Sequence, residues 1–263
     1  MDTVDLSITA LLIAFALFII PVAISWFYRI GLTRSLLYAT ARMTVQLIMI
    51  GIFLKYLFRW DNALLNILWL TVMVLVAVVS AVRQSSMKLS RMLHPAFISF
   101  SLATFLIILF FNIFVIRLDN VFNARYLIVL GGMLLGNSLR GNIIGISSFY
   151  SNIKRDRKTY RYRLALGATF SESIRPYLRD SVQLALKPTI AAMATMGIVA
   201  LPGMMTGVIL GGASPEVAIK YQIMIMIAIV VSTILSVVLT ILLTLKSCFS
   251  RYGTLRDDIF AEK

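Results

Sequence analysis

Three stretches of the chain, Leu6 to Phe27, Ala63 to Val82 and Pro95 to Ile116, run without a single charged side chain. A helix needs about 20 mostly apolar residues to cross a hydrocarbon core of roughly 30 Å, so each stretch is long enough to span a bilayer. Composition agrees: the 263 residues are 60% hydrophobic and 14% charged, with a mean hydropathy of +0.91, far too apolar for one soluble core and its polar skin. With so much of the length committed to membrane, no large soluble domain fits beside the spans.

Four further apolar stretches carry polar cargo. Leu36 to Phe58 holds Arg42, Gln46 and Lys55, and Tyr126 to Phe149 is glycine-rich with Asn137, Arg140 and Asn142. Val182 to Leu201 contains Lys187-Pro188, and Ile219 to Leu245 follows a glycine- and proline-rich break. The expectation is an all-α polytopic bundle of seven transmembrane helices, one transmembrane domain over 1–263. Loop charge orients it, because basic residues collect on cytoplasmic loops. Arg29 and Arg34, then Arg83, Lys88 and Arg91, then Lys154, Arg155, Arg157, Lys158, Arg161, Arg163, Arg175 and Arg179, and finally Lys246, Arg251, Arg256 and Lys263 mark every second connection and the tail. That puts the N-terminus outside and the C-terminus in the cytoplasm. Met1 to Asp5 is acidic where a secretory signal is basic, so the first run reads as a retained span. The formal charge of +14 is thereby assigned to loops facing membrane lipid, not to nucleic-acid binding. The location expected is the inner (plasma) membrane, multi-pass. A single cysteine, Cys248, excludes an internal disulfide and any multi-thiolate metal site within one chain.

Ser151 to Asp180 is the longest polar stretch. Within it, Leu164-Ala165-Leu166-Gly167-Ala168 predicts a helix stopping in a left-handed turn at Gly167. Thr169-Phe170-Ser171-Glu172 then fits a capping box, predicting a short helix through Ile174 toward Tyr177, kinked or shortened by Pro176. This helix-turn-helix is either a basic loop lying on anionic headgroups or a docking element for a second protein.

Other motifs narrow the chemistry. Gly131 to Ser138 has glycines spaced like a phosphate-binding loop, but Asn137 stands where the lysine is needed, so nucleotide binding is rejected. Gly132 with Gly136, Gly141 with Gly145, and Gly203, Gly207 and Gly211 have spacings that let helices approach closely. Pro202-Gly203-Met204-Met205-Thr206-Gly207 predicts a break at membrane depth, where irregular backbone survives only beside protein or a water-filled cavity; it is read as lining a pathway or gate. Charges and amides at depth point inward, which adds Gln46, Asn137 and Arg140 to that pathway; Arg42 either joins them or snorkels to the interface. His94 is alone, no span holds an acid suited to a hard cation, and the methionine sulfurs, Met204 and Met205 foremost, are weak metal candidates. An enzyme would need a nucleophile and base, and a proton-driven carrier an intramembrane acid; neither is present in the spans.

Ala41-Arg42-Met43-Thr44-Val45-Gln46-Leu47, Gly132-Met133-Leu134-Leu135-Gly136-Asn137, and Leu201 to Gly207 with Tyr221-Gln222 beyond resemble, in this order and spacing, the iron-export ABC permease family of the FetB type, which includes plant aluminium-tolerance half-transporters. The segment from Leu164 to Tyr177 is similar to the coupling loop with which ABC permeases dock on their ATPase. The resemblance implies a permease, 151–180 being its cytoplasmic coupling segment, with Leu166, Gly167, Ala168, Thr169, Glu172 and Ile174 setting the docked turn and Gln222 joining the pathway. It implies a homodimer with separate ABC ATP-binding subunits that hold ATP and magnesium, no cofactor on this chain, and export of iron or a related metal species. An ATP-independent channel or secondary carrier is the alternative.

Overall fold

The computed structural model describes residues 7–250 and 252–261; the acidic Met1 to Asp5 and the basic Arg251 and Lys263 lie outside them. Among the described residues there are ten α-helices and no strand: α1 Ile8–Ala16, α2 Ile19–Phe27, α3 Thr33–Trp60, α4 Ala63–Gln84, α5 Leu89–Phe110, α6 Ala124–Arg155, α7 Arg157–Ala165, α8 Phe170–Thr195, α9 Gly203–Leu210 and α10 Pro215–Cys248. Six segments are long and apolar enough to cross a membrane: Thr9–Phe27, α3, α4, α5 with the π-turn Phe111–Val115, α6 and α10. This is a multi-pass membrane protein.

The first expected span is two helices. Pro21 has no N–H for the carbonyl of Leu17 and its ring crowds that carbonyl, so the chain tightens at Leu17 and Phe18 before resuming. The stretch expected as the sixth span differs more. Instead of a short helix ended near Tyr177 and a second from Val182, α8 runs unbroken through Pro176 and Pro188. A proline inside a helix costs about 3 kcal/mol. Burial of Ser173, Ile174, Tyr177, Ser181 and Ala185 along one face offsets it and keeps the axis on course. Its five charges, Glu172, Arg175, Arg179, Asp180 and Lys187, set it apart from the six apolar segments.

Register fixes the direction of each helix. Three side-chain pairs join α6 to α10: Ser138 with Ser232 at 3.2 Å, the Asn142 amide donating to Ser236 at 2.8 Å, and the Tyr150 hydroxyl donating to Thr244 at 2.6 Å. Each pair is 94 residues apart, so the two helices lie parallel. Gly141 and Gly145 face Thr233 and Val237, and a methyl group at either would collide with them. The spacing expected to bring helices close does so here. Gly136, Gly203 and Gly207 face open space instead, and Gly132 makes only ordinary contact.

Parallel neighbours require the chain between them to return from one end of the bundle to the other. α8 carries that return. It begins with Phe170 stacked edge-on against Phe249 at 5.1 Å, and just past its other end the Sδ of Met196 accepts from Gln222 at 3.6 Å. Its 26 residues rise about 39 Å, more than a hydrocarbon core of roughly 30 Å, and end about two turns short of the start of α10.

The two ends differ in construction. At the far end Asp61, in a left-handed conformation at the close of α3, accepts from the amides of Asn66 (3.1 Å), Asn123 (2.8 Å) and backbone Ala124 (2.7 Å). That carboxylate ties the α3–α4 turn to the positive N-terminus of α6. At the opposite end, here the tail end, the residues after α10 fold back as a strap. Leu255 and Ile259 are buried, Arg91 pairs with Asp258 at 2.9 Å, Arg157 pairs with Asp257 at 3.0 Å, and Tyr160 donates to the carbonyl of Gly253 at 2.6 Å. Among the described residues of α1–α3 only Ser25 and Leu57 are buried, Leu57 joining the core with Phe53 and Leu54 packed against it.

Candidate functional site: a cavity joined to a capped turn

The turn after α7 is built as the sequence predicts. Gly167 has φ +91°, open to glycine without strain. The amide of Ala168 donates to Arg163 and that of Gly167 to Leu164, each at 3.1 Å, the paired bonds of a Schellman stop. Thr169 then caps α8. Its backbone amide donates to the Glu172 carboxylate at 2.8 Å, its hydroxyl to the same oxygen at 2.7 Å, and its hydroxyl oxygen accepts from the Glu172 amide at 3.3 Å. These bonds, the hydroxyl first, hold the Glu172 carboxyl below the usual carboxylate range. Leu166, Thr169 and Glu172 are exposed and Ala168 half-buried, whereas Ile174 is buried and braces α8 from within. Burial, then the neighbouring Tyr177, push Tyr160 up to about 12. It therefore stays a protonated donor to the strap at physiological pH.

At the far end of α8 lies a cavity of about 430 Å³ between α6, α8, α9 and α10. It gathers Asn137, Arg140, Pro202, Gly203, Met204 and Gln222 of the expected pathway, and adds Met133, Met196 and Met226. A second cavity of about 430 Å³ shares Met196, Gln222 and Met226 with it and holds Met205. Thr206 is half-buried on α9 and bonded back to Pro202; Gly207 is exposed. Gln222 sits where the cavities meet. It is buried, and its carbonyl oxygen has no partner among the described residues.

Arg42 and Gln46 are not brought to this cavity. Both are exposed on α3, Gln46 at a separate apolar groove beside Trp69 and Met73. Asn142 is likewise absent, having turned to Ser236 of α10. The sequence reading overlooked two features. One is the polar seam of α10, announced by Ser232, Ser236, Thr240 and Thr244 at every fourth position of an apolar helix. The other is the strap, whose signal is Asp257-Asp258 among the basic residues of one end. No cluster of three or more His, Cys, Asp or Glu occurs among the described residues. The polar and sulfur side chains lining the cavities are thioethers, amides, the Thr189 hydroxyl and one guanidinium.

Comparison with known proteins follows the same outline. The model of an uncharacterised protein family, UPF0014, matches residues 8–249. The chain is 34% identical over 216 residues to UPF0014 membrane protein STAR2 of Oryza sativa subsp. japonica, covering 81% of this chain and 73% of that protein. It is 31% identical over 230 residues to the "Probable iron export permease protein FetB" of Escherichia coli strain K12, covering 86% and 85%. UPF0014 membrane protein YjkA of Bacillus subtilis strain 168 is 30% identical over 228 residues, covering 86% and 87%. No solved structure matches the chain significantly.

Proposed function

The chain belongs to the UPF0014 family of membrane proteins, and from that premise we propose that it is the permease subunit of an ABC exporter. In this reading it crosses the plasma membrane seven times with its N-terminus outside, α8 making the sixth crossing. The return run of α8 beside two parallel helices supports that count, as does the alternation of basic loops. Two copies enclose a central path. A separate ATP-binding subunit, which holds ATP and magnesium, docks on each α7–α8 turn at the cytoplasmic face. The cargo is iron or a related metal species, by analogy with the relative named for iron export.

One observation carries the proposal: the helix that begins at the capped, exposed turn ends at the polar cavity. Closure of the ATPases pushes on Leu166 to Thr169, and α8 delivers the displacement to Met196, Gln222 and the break before α9, opening the cavity to the outside. Because a rigid helix transmits force only if its near end is held, the Schellman stop and capping box are part of the device. The direct test is co-purification of a candidate ATP-binding subunit with the wild type and with Gly167→Asp. A side chain at φ +91° strains the turn, and recovery should fall about tenfold for each 1.4 kcal/mol lost. Equal recovery would count against docking at this turn.

A further inference from the structure

The methionines of the bundle fall into two groups. Met87 and Met92 are buried and fill the core as ordinary apolar side chains. Met133, Met196, Met204 and Met226 are only half-buried, and all four line the cavity of about 430 Å³. Helix register brings three of them to one level. The 94-residue offset of the side-chain pairs joining α6 to α10 sets Met226 level with Gly132, beside Met133. Running the opposite way, α8 places Ala185 against the positions of Gly141 and Gly145. Met196, eleven residues past Ala185, therefore stands eleven residues before the midpoint of those glycines, again at the level of Gly132. Each of the three belongs to the row of its element that faces the cavity: Met133 one turn before Asn137, Met226 one turn after Gln222, and Met196 one turn after Ala192. The Gln222 amide, donating to the Sδ of Met196 at 3.6 Å, holds that sulfur in place.

We infer that Met133, Met196 and Met226 form a three-sulfur site for a soft monovalent cation, Cu(I) or its chemical analogue Ag(I). The inference concerns the cargo, and it rests on the permease reading only in placing the cavity on a transport path. Thioethers are neutral, polarisable ligands that select Cu(I), whereas iron outside sulfur clusters is held by imidazole and carboxylate. The cavity lining contains no carboxylate, imidazole or thiol. Charge points the same way. Arg140 lines the same cavity, seven residues from Met133 toward the tail end, about 10 Å by helix rise. A single positive charge at the methionine level is out of contact with that guanidinium. A dication or trication there meets two or three times the repulsion, with no acid in the lining to offset it.

The test is anaerobic equilibrium binding of Cu(I) to the purified full chain in lipid nanodiscs, in competition with a chromophoric Cu(I) chelator. All proteins carry Cys248→Ser, which removes the one thiol. One Cu(I) per chain should be withdrawn from the chelator, and X-ray absorption of that complex should show a shell of sulfur neighbours. Met133→Leu, Met196→Leu and Met226→Leu should each weaken binding by at least about tenfold, the loss expected when even an outer partner of a metal is removed. Leucine keeps the volume and apolarity of methionine, so the thermal midpoint should stay close to the parent's. Met87→Leu and Met92→Leu, at buried sites away from the cavity, should bind as the parent does. Ferrous ion at equal concentration should fail to displace Cu(I). Undiminished binding in all three cavity variants overturns the inference, as does a shell of nitrogen and oxygen without sulfur, displacement by ferrous ion, or no withdrawal of Cu(I) at all. None of these outcomes touches recovery of the ATP-binding subunit, whose loss is the separate failure of the permease reading.

Discussion

The two ends of α8 are built to opposite specifications. At the tail end the helix starts on a Schellman stop and a capping box, Phe170 packs on Phe249, and Tyr177 lies 6.2 Å from Tyr160, which is itself bonded to the strap. At the far end it gives way to Met196 and Gly197, Ile198 and Val199 are 91% and 79% exposed, and no residue of α9 is buried. A helix fixed at one end and unsupported at the other moves most where it is least held. In the proposed permease the contrast assigns input and output: the packed end would receive force, and the open end, beside the cavity, would yield to it.

The comparison breaks most readily at Phe249. It is buried, and its ring meets Phe170, Tyr160 and Tyr150. Truncation of such a core aromatic costs about 3–5 kcal/mol, so Phe249→Ala should lower the thermal midpoint of the purified protein by many degrees; an unchanged midpoint would show that the strap does not hold α8. Thr169→Ala is next. Loss of an N-cap costs about 1 kcal/mol, seen as a smaller fall in the midpoint and faster amide exchange confined to the first turn of α8.

The capping box also has a pH signature. Because the Glu172 carboxyl is held low in the folded chain, its contribution is complete above the unfolded value of about 4.3 and is lost as pH falls through the lower folded value. Exchange in that first turn should quicken in acid in the wild type and show no such pH step in Glu172→Gln. The smallest effect belongs to the open end. Ile198→Asn, at a side chain that packs on almost nothing within the chain, should shift stability by no more than about 0.5 kcal/mol; a large fall in the midpoint would mean this segment is anchored by a neighbour.

Much of the tail end was legible because its signals are local. Gly167 and the Thr169–Glu172 pair specify a stop and a start within six residues, and each acts through backbone bonds to its immediate neighbours. The cavity was legible in parts: Asn137 and Arg140 were expected as polar groups at depth and Gln222 from the family resemblance, while Pro202, Gly203 and Met204, expected as broken backbone, line it as the N-cap and first turn of α9. Arg42 and Gln46 satisfied the same rule of thumb and stand elsewhere. Polarity at depth says that a face turns from lipid, without saying toward which neighbour.

The continuity of α8 was not legible. Pro176 and Pro188 argue locally for breaks, and they are overruled by a buried face that exists only when α6 and α10 lie alongside. By itself the sequence determined a helical membrane protein, the approximate extent of six apolar spans and the capped turn, because hydropathy and capping act within a few turns of one chain segment. The tertiary structure decided that α6 and α10 run parallel, that α8 returns unbroken beside them, and that residues from four helices meet in one cavity. Those facts depend on register between segments 94 residues apart, which no local pattern encodes.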